Sequence, residues 1–373
     1  MKIGWKEKSV GEILQLEYGK PLDDSDRKPN GLFPVYGANG EKDRTDKFYH
    51  DKPSIIVGRK GSAGEINLTE NKFWPLDVTY FVTFDEQKHA LRFLYYLLTT
   101  LDLTKLAKGV KPGINRNEVY SQITRVPSLT EQQRIVGILD EAFEDIATAT
   151  AKAEKNLQNA RALFESHLQS VFTQRGKGWV NFSLVSACDL FVDSAHRTPK
   201  YQDDGIPALR PRDVVNGRLN LEGALRVCEE EYEIQSKRYK PKPGDIVYSR
   251  ELSYGWAALL PKSPRVCLSQ GMCLFRPSSR LDASFLLYML NGSMGREQAT
   301  RAAVGAAHPH INLGDIKSYL IPTPSLETQQ QITKQLNAFR EETQRLESLC
   351  QQKLAALDEL KKSLLHQAFT GEL

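Results

Sequence analysis

The sequence predicts an α+β fold built twice. It is a tandem duplication of a mixed α/β domain followed by a long helix, the two helices packed as an antiparallel coiled coil with pseudo-two-fold symmetry. Three observations carry this. Residues 114–173 match residues 311–370 at a constant offset of 197, without a gap. Each matched stretch holds one long helical pattern free of proline. The chain ahead of each is punctuated by Gly and Pro and carries short β-branched runs.

The matches are specific. Ile114-Asn115 pairs with Ile311-Asn312, Pro127-Ser128-Leu129 with Pro324-Ser325-Leu326, and Gln132-Gln133 with Gln329-Gln330. Ser166, Leu168, Phe172 and Thr173 pair with Ser363, Leu365, Phe369 and Thr370. Upstream the offset rises in steps, from 174 at Gly4-Trp5 and Gly178-Trp179 to 191 at Ile55, Arg59, Ser62 and Gly64 against Ile246, Arg250, Ser253 and Gly255. The second copy therefore carries an insertion of about 18 residues before its Pro243-Gly244-Asp245 turn and about six more later. Four segments follow: heads at 1–125 and 177–323, helical regions at 126–176 and 324–373. In the heads, Ser54–Val57, Val78–Val82 and Ile246–Tyr248 are strand-like, and Leu91–Leu106 and Ser284–Leu290 helical.

The helices bury a stripe at spacings of three and four. In the first it includes Ile135, Leu139, Ile146, Leu157 and Leu168, and in the second Ile332, Leu336, Leu346, Leu354, Leu357 and Leu365. Both stripes slip by one position at the same place, as a stutter would. Ser128 and Glu131 form a capping box, Ser325 and Thr328 a weaker one. A helix of about 44 residues is roughly 66 Å long. A domain the size of the second head has a radius of gyration of only about 15 Å. It cannot comfortably join the far ends of parallel helices, so antiparallel packing is expected, with residue 1 near residue 373.

The composition excludes some functions and leaves others open. The chain has 373 residues, 40% hydrophobic and 26% charged, with a formal charge of +4. That net charge is too small to argue for nucleic acid. Divided along the repeat, however, it becomes +3 and +4 on the heads against −2 and −1 on the helices. The apolar-rich stretch Leu91–Leu106 is interrupted by Arg92, Asp102 and Lys105, so no membrane span fits. No apolar signal core opens the chain, and the five cysteines lack CxxC spacing. Both features suit free thiols in a reducing cytoplasm.

Two heads at a fixed spacing suit duplex DNA, whose local symmetry is two-fold. Three kinds of loop could meet it. The first holds Arg59, Lys60 and Ser62, matched by Arg250, Ser253 and Tyr254. Arg can hold guanine by two hydrogen bonds and Ser can bind phosphate. A plain turn with a solvated Arg would look similar. The second holds Lys108 and Lys111, matched by the loop 304–310 with His308. Asn115 and Asn312 just beyond these loops suit helix caps better than base readers. No third ligand joins His308 and His310 for a metal. The third is confined to head two: Arg197, Lys200, Arg210 and Arg212, which a solvated surface would explain nearly as well. No NPPY or DPPY tetrapeptide, Walker motif, HExxH or GxSxG is present.

Taken together, the sequence resembles the specificity (S) subunit of type I restriction–modification systems. The resemblance rests on the duplicated Pro-Ser-Leu-x-x-Gln-Gln, on Gly113-Ile114-Asn115 and His310-Ile311-Asn312, on Lys242–Arg250 (KPGDIVYSR), and on Ala368–Leu373 (AFTGEL). It implies two target-recognition domains that read the halves of a bipartite, asymmetric site in double-stranded DNA, and helices that set the spacer. It implies a subunit without catalysis or cofactor of its own. Its expected partners are two modification subunits using S-adenosylmethionine and restriction subunits using ATP and Mg²⁺. The alternative is a coiled-coil scaffold whose heads bind protein. Salt dependence separates the two, because DNA affinity falls steeply as salt rises.

Overall fold

The structure is a computed structural model describing residues 4–305 and 307–373. Residue 1 and Ala306 lie outside that set, and with them the expected neighbourhood of residues 1 and 373. The chain forms two compact units: Met1–Glu154 together with Gln352–Leu373, and Lys155–Gln351. These are not the two sequence repeats, since each unit takes part of both long helices.

In unit 1 the strands are β1 (Lys6–Ser9), β2 (Leu14–Tyr18), β3 (Phe33–Gly37), β4 (Gly40–Thr45), β5 (Ser54–Gly58), β6 (Ile66–Thr69), β7 (Trp74–Pro75) and β8 (Thr79–Phe84). Helices α1 (Leu91–Thr100) and α2 (Arg116–Tyr120), strand β9 (Ile123–Val126) and the long α3 (Leu129–Thr173) follow. The main sheet has the order β2-β8-β5-β6. A smaller one runs β4-β3-β7, and β1 pairs with β9. Strand β5 is buried along its whole length, as its unbroken Ile55-Ile56-Val57 run requires. Phe93, Leu94, Leu97 and Leu98 of α1 join Ile55 and Val57 in the core, each contributing about 1.5–3 kcal/mol by burial.

Unit 2 repeats this plan. Its strands are β10 (Val180–Ser183), β11 (Cys188–Asp193), β12 (Ile206–Leu209), β13 (Val214–Val215), β14 (Arg218–Leu219) and β15 (Arg226–Val227). Helix α4 (Glu229–Gln235) precedes β16 (Ile246–Ser249), β17 (Ala257–Leu259), β18 (Cys267–Leu268) and β19 (Met272–Pro277). Then come α5 (Ala283–Asn291), α6 (Ser293–Ala302), β20 (Ala303–Val304), β21 (His310–Ile311), α7 (Leu313–Lys317), β22 (Leu320–Thr323) and the long α8 (Leu326–Thr370). The sheets β11-β19-β16-β17 and β15-β12-β18 and the pair β10-β22 are the unit-1 sheets in the same order. The expected larger insertion is the hairpin β13–β14 with helix α4. The later one falls where α6 replaces the short 3₁₀ turn Leu103–Leu106.

The duplicated glutamines join each head to its long helix. Gln132 is fully buried at the start of α3. Its Oε1 accepts from the Ala90 amide at 3.0 Å, and its Nε2 donates to the Lys88 and Pro127 carbonyls, both at 3.0 Å. Gln329 does the same in unit 2, with the Asp282 amide at 2.8 Å and the Arg280 and Pro324 carbonyls at 3.0 and 2.9 Å. The second glutamine of each pair is exposed. About two turns beyond the clamps, the Tyr96 hydroxyl donates to Asp140, and that of Tyr288 to Asn337. The helix starts are capped by Ser128 and Ser325, which accept from the Glu131 and Thr328 amides.

Within each unit the two helix segments run antiparallel. In unit 1, Lys361 lies over Phe143 and Arg134 donates to the Leu373 carbonyl. In unit 2, Phe164 stacks on Phe339, and Arg161 pairs with Glu347 at 3.1 Å. Ile135, Leu139, Ile146, Leu168 and Leu336 are buried, while Leu157, Ile332, Leu354, Leu357 and Leu365 are partly buried. Leu346 corrects the expectation: it is 38% exposed. The shared slip is absent too. Burial continues through 139, 143, 146, 150, 153, 157, 160 and 164, and through 336, 340, 343, 347, 350, 354 and 357. Thr150 and Glu347 fill seam positions that an apolar stripe passes over.

All five cysteines are free thiols. Burial pushes the Cys188 and Cys267 thiols up to about 12 and raises Cys273 further. Cys228 is exposed. A thiol reagent at neutral pH should therefore label Cys228 first, and Cys267 and Cys273 only after unfolding. Mass-spectrometric mapping that finds Cys273 labelled as fast as Cys228 would contradict the packing of β19. Among the described residues no helix is long and apolar enough to cross a membrane.

Candidate nucleic-acid interface

In each unit the first two candidate loops form one surface. In unit 1 the Gly61 amide donates to the Pro112 carbonyl at 2.8 Å and the Ile114 amide to the Arg59 carbonyl at 3.1 Å. In unit 2 Leu252 donates to Pro309 at 2.9 Å, and Ile311 to Arg250 at 2.8 Å. The matched glycines that end the first loop explain why it turns here. Gly64 has φ +90°, and a Cβ on it would lie 2.4 Å from the Thr104 nitrogen. Gly255 has φ +82°, and a Cβ there would meet Arg296 at 2.4 Å.

The same backbone carries opposite electrostatics in the two units. In unit 1, Arg59 donates through Nε and Nη2 to the Asp77 carbonyl at 3.1 and 2.7 Å. Its guanidinium lies 5.3 Å from the Tyr18 ring centre, and Arg116 lies 5.1 Å from the same centre. Two guanidinium groups thus share one ring that is 46% exposed. Burial pushes the neighbouring Tyr80 phenol above its ordinary range, so that group stays neutral beneath them. Lys60, Ser62 and Lys111 are exposed at the rim. Lys108 is exposed and pairs with Glu118.

In unit 2 the matching arginine is neutralised. Arg250 is 9% exposed. Its Nη1 donates to the Ile311 carbonyl at 3.2 Å, its Nε lies 3.3 Å from Asp193, and its Nη2 lies 3.7 Å from Glu251. Asp193 stands opposite Cys273 in the sheet, where Tyr18 stands opposite Tyr80 in unit 1. The position of Arg116 is taken by Leu313. Arg250 is therefore a structural cation rather than a side chain free to reach a base. Arg210 needs the same correction: it holds Asp213 through two bonds of 2.8 and 2.9 Å and locks the turn Pro211–Asp213. Its charge is stabilised first by that carboxylate.

The other positions are more open. Arg197 gives both bonds of its Nη2 to Glu231 at 2.9 Å but remains half-exposed. Lys200, Arg212, Ser253 and His308 are exposed, and Tyr254 is partly buried. Asn115 caps α2 by accepting from the Asn117 amide, whereas the Asn312 side chain makes no cap bond and its amide faces Asp315 at 3.3 Å. Sequence reasoning missed Tyr18 and Arg116, which only the fold brings to Arg59. It also missed Asn216-Gly217, a two-residue hairpin signal.

The family described as "Type I restriction modification DNA specificity domain" matches residues 2–158 and 177–355. The EcoDI specificity subunit of Escherichia coli is 21% identical, covering 100% of this chain and 89% of the relative. The EcoBI specificity subunit, also of Escherichia coli, is 25% identical over 77% of this chain and 67% of its own length. The MjaVIII specificity subunit of Methanocaldococcus jannaschii is 20% identical over 99% and 93%. A chain solved in work on complex assembly and conformational transition of the type I R-M system has the same fold, with TM-score 0.79 and 18% identity over 100% of this chain and 99% of its own. The HsdS subunit from Thermoanaerobacter tengcongensis also shares the fold, with TM-score 0.62 and 18% identity over 100% and 98%.

Proposed function

We propose a division of DNA reading between the two units of this chain, which belongs to the type I restriction modification DNA specificity family. The chain carries the DNA-specificity role of that family. In our reading each unit recognises one half of a bipartite, asymmetric target, and α3 and α8 set the spacer and dock the modification and restriction subunits. Catalysis rests with those partners, which bring S-adenosylmethionine, ATP and Mg²⁺. The chain itself is non-catalytic and works in the cytoplasm. The observation that carries this is the pair of matched surfaces: one backbone plan presents Arg59, Arg116 and Tyr18 in unit 1 but a neutralised Arg250–Asp193 pair in unit 2. Two copies of one scaffold with different side chains at matching points suit two different half-sites.

A mobility-shift series with the modification partner present tests this. Arg59→Ala should relax the sequence preference of one half-site, at a cost of about 1–3 kcal/mol. Lys111→Ala should weaken all sequences alike and lower the salt slope by about one. Binding that ignores sequence in the wild type, or that stays level as salt rises, would instead fit heads that hold protein.

A further inference from the structure

Unit 2 contains a second basic feature, remote in kind from the paired loops: a cleft of about 920 Å³. One wall is the hairpin β13–β14, present only in this copy. Its turn residues Asn216 and Gly217 both have positive φ, +48° and +77°, the type I′ geometry that closes a tight hairpin. A Cβ on Gly217 would meet the Asn291 amide at 2.5 Å, so the hairpin lies close against the end of α5. Asn291 is itself held by two bonds to the Ala257 backbone, at 2.9 and 3.0 Å. The wall is therefore fixed in place.

Four arginines and two glutamates line this cleft, a formal excess of +2. Arg161 is satisfied by Glu347 at 3.1 Å. The other three have no carboxylate partner among the described residues. Arg296 donates to the Tyr254 carbonyl at 2.7 Å and lies 4.2 Å from the Trp256 ring centre. Arg340 is held 4.6 and 4.9 Å from the ring centres of Tyr288 and Phe164. Arg218 is exposed on the hairpin. The comparable cleft in unit 1 is only about 280 Å³; its arginine, Arg92, is neutralised by Asp140 at 2.9 Å and Glu70 at 3.1 Å, and its other cation, Lys361, lies 5.3 Å from the Phe143 ring centre. The insertion thus borders a larger cleft and adds Arg218 to its lining.

We propose that this cleft is a phosphate-binding site, with Arg218, Arg296 and Arg340 holding either the phosphate chain of a free nucleotide or the backbone phosphates of a nucleic-acid strand. Guanidinium groups match phosphate oxygens two at a time, and a multiply charged phosphate chain can satisfy several of them where one carboxylate cannot. Arg340 and Arg296 are already oriented by aromatic faces, so little side-chain freedom is lost on binding.

Titration calorimetry on the full chain tests the site, with inorganic tripolyphosphate, ATP, a duplex DNA of random sequence and a poly-glutamate peptide as probes. Arg218→Ala is the primary variant, because its side chain is exposed and the melting temperature should not move. Arg340→Gln is the second. A phosphate probe should bind, and Arg218→Ala should weaken it about tenfold or more, while Lys52→Ala, an exposed side chain of unit 1 paired with Glu86, should leave binding unchanged. If tripolyphosphate and ATP respond, the source is a free nucleotide. If only the duplex responds, through Arg218, the source is nucleic acid. The proposal fails if no phosphate probe binds, if binding ignores both variants, or if only poly-glutamate binds.

Discussion

Gln132→Leu should lower the stability of unit 1 by roughly 3 kcal/mol, while Gln133→Leu, one residue on, should be close to neutral. The first change removes three hydrogen bonds and leaves the Ala90 amide and the Lys88 and Pro127 carbonyls without that partner. Each unsatisfied group of this kind costs about 1–3 kcal/mol, more than the net value of the bond itself. Added leucine surface offsets part of the loss, since the side chain is fully buried. Gln133 is exposed and offers no such network. Gln329→Leu should repeat the effect in unit 2. Denaturant unfolding followed at both units measures it, and a Gln132→Leu chain within 1 kcal/mol of wild type would show that the clamp does not hold the head to the helix.

Ending the chain after Lys362 should abolish the cooperative melting of unit 1 and leave that of unit 2 in place. Leu364, Leu365, Ala368 and Phe369 belong to the core of unit 1 although they follow unit 2 in the sequence. Ala368 is fully buried, and the Phe369 ring lies 5.2 Å from that of Phe93. Phe369→Ala alone should cost about 3 kcal/mol, the lower end for a core phenylalanine because the ring is only partly buried. Phe172 makes the matching contact with Phe285 in unit 2, also at 5.2 Å, and is 3% exposed. Its replacement by alanine should cost more, about 4 kcal/mol. Calorimetry resolves the two transitions, and a truncated chain that still melts twice would contradict this assignment of the core.

Much of the fold was legible because it depends on local pattern repeated twice. The long helices, their caps, the position of the insertion and the paired turn glycines all follow from residues near one another in the chain. What stayed hidden depends on distant partners. Arg59 and Arg250 look alike in sequence, yet one meets Tyr18 and the other Asp193, each on the first strand of its main sheet. The two clamping glutamines are polar residues that are fully buried at the start of each long helix, where an apolar pattern search passes over them. Thr150 and Glu347 conceal the continuous heptad for the same reason, and Leu346 attracts an assignment it does not hold. The charge split between heads and helices pointed to the heads as a whole, but it could not distinguish an exposed arginine from one already neutralised.

The contribution of residues 352–373 to unit 1 inverts the order of manufacture and completion. A ribosome emits the first head before unit 2, yet that head lacks Leu364, Leu365, Ala368 and Phe369 until translation has passed the whole of unit 2. Unit 2 has all its residues once Gln351 has emerged. The part made first is finished last, and during that interval the apolar surface around Phe93 is open to chaperones and to other nascent chains.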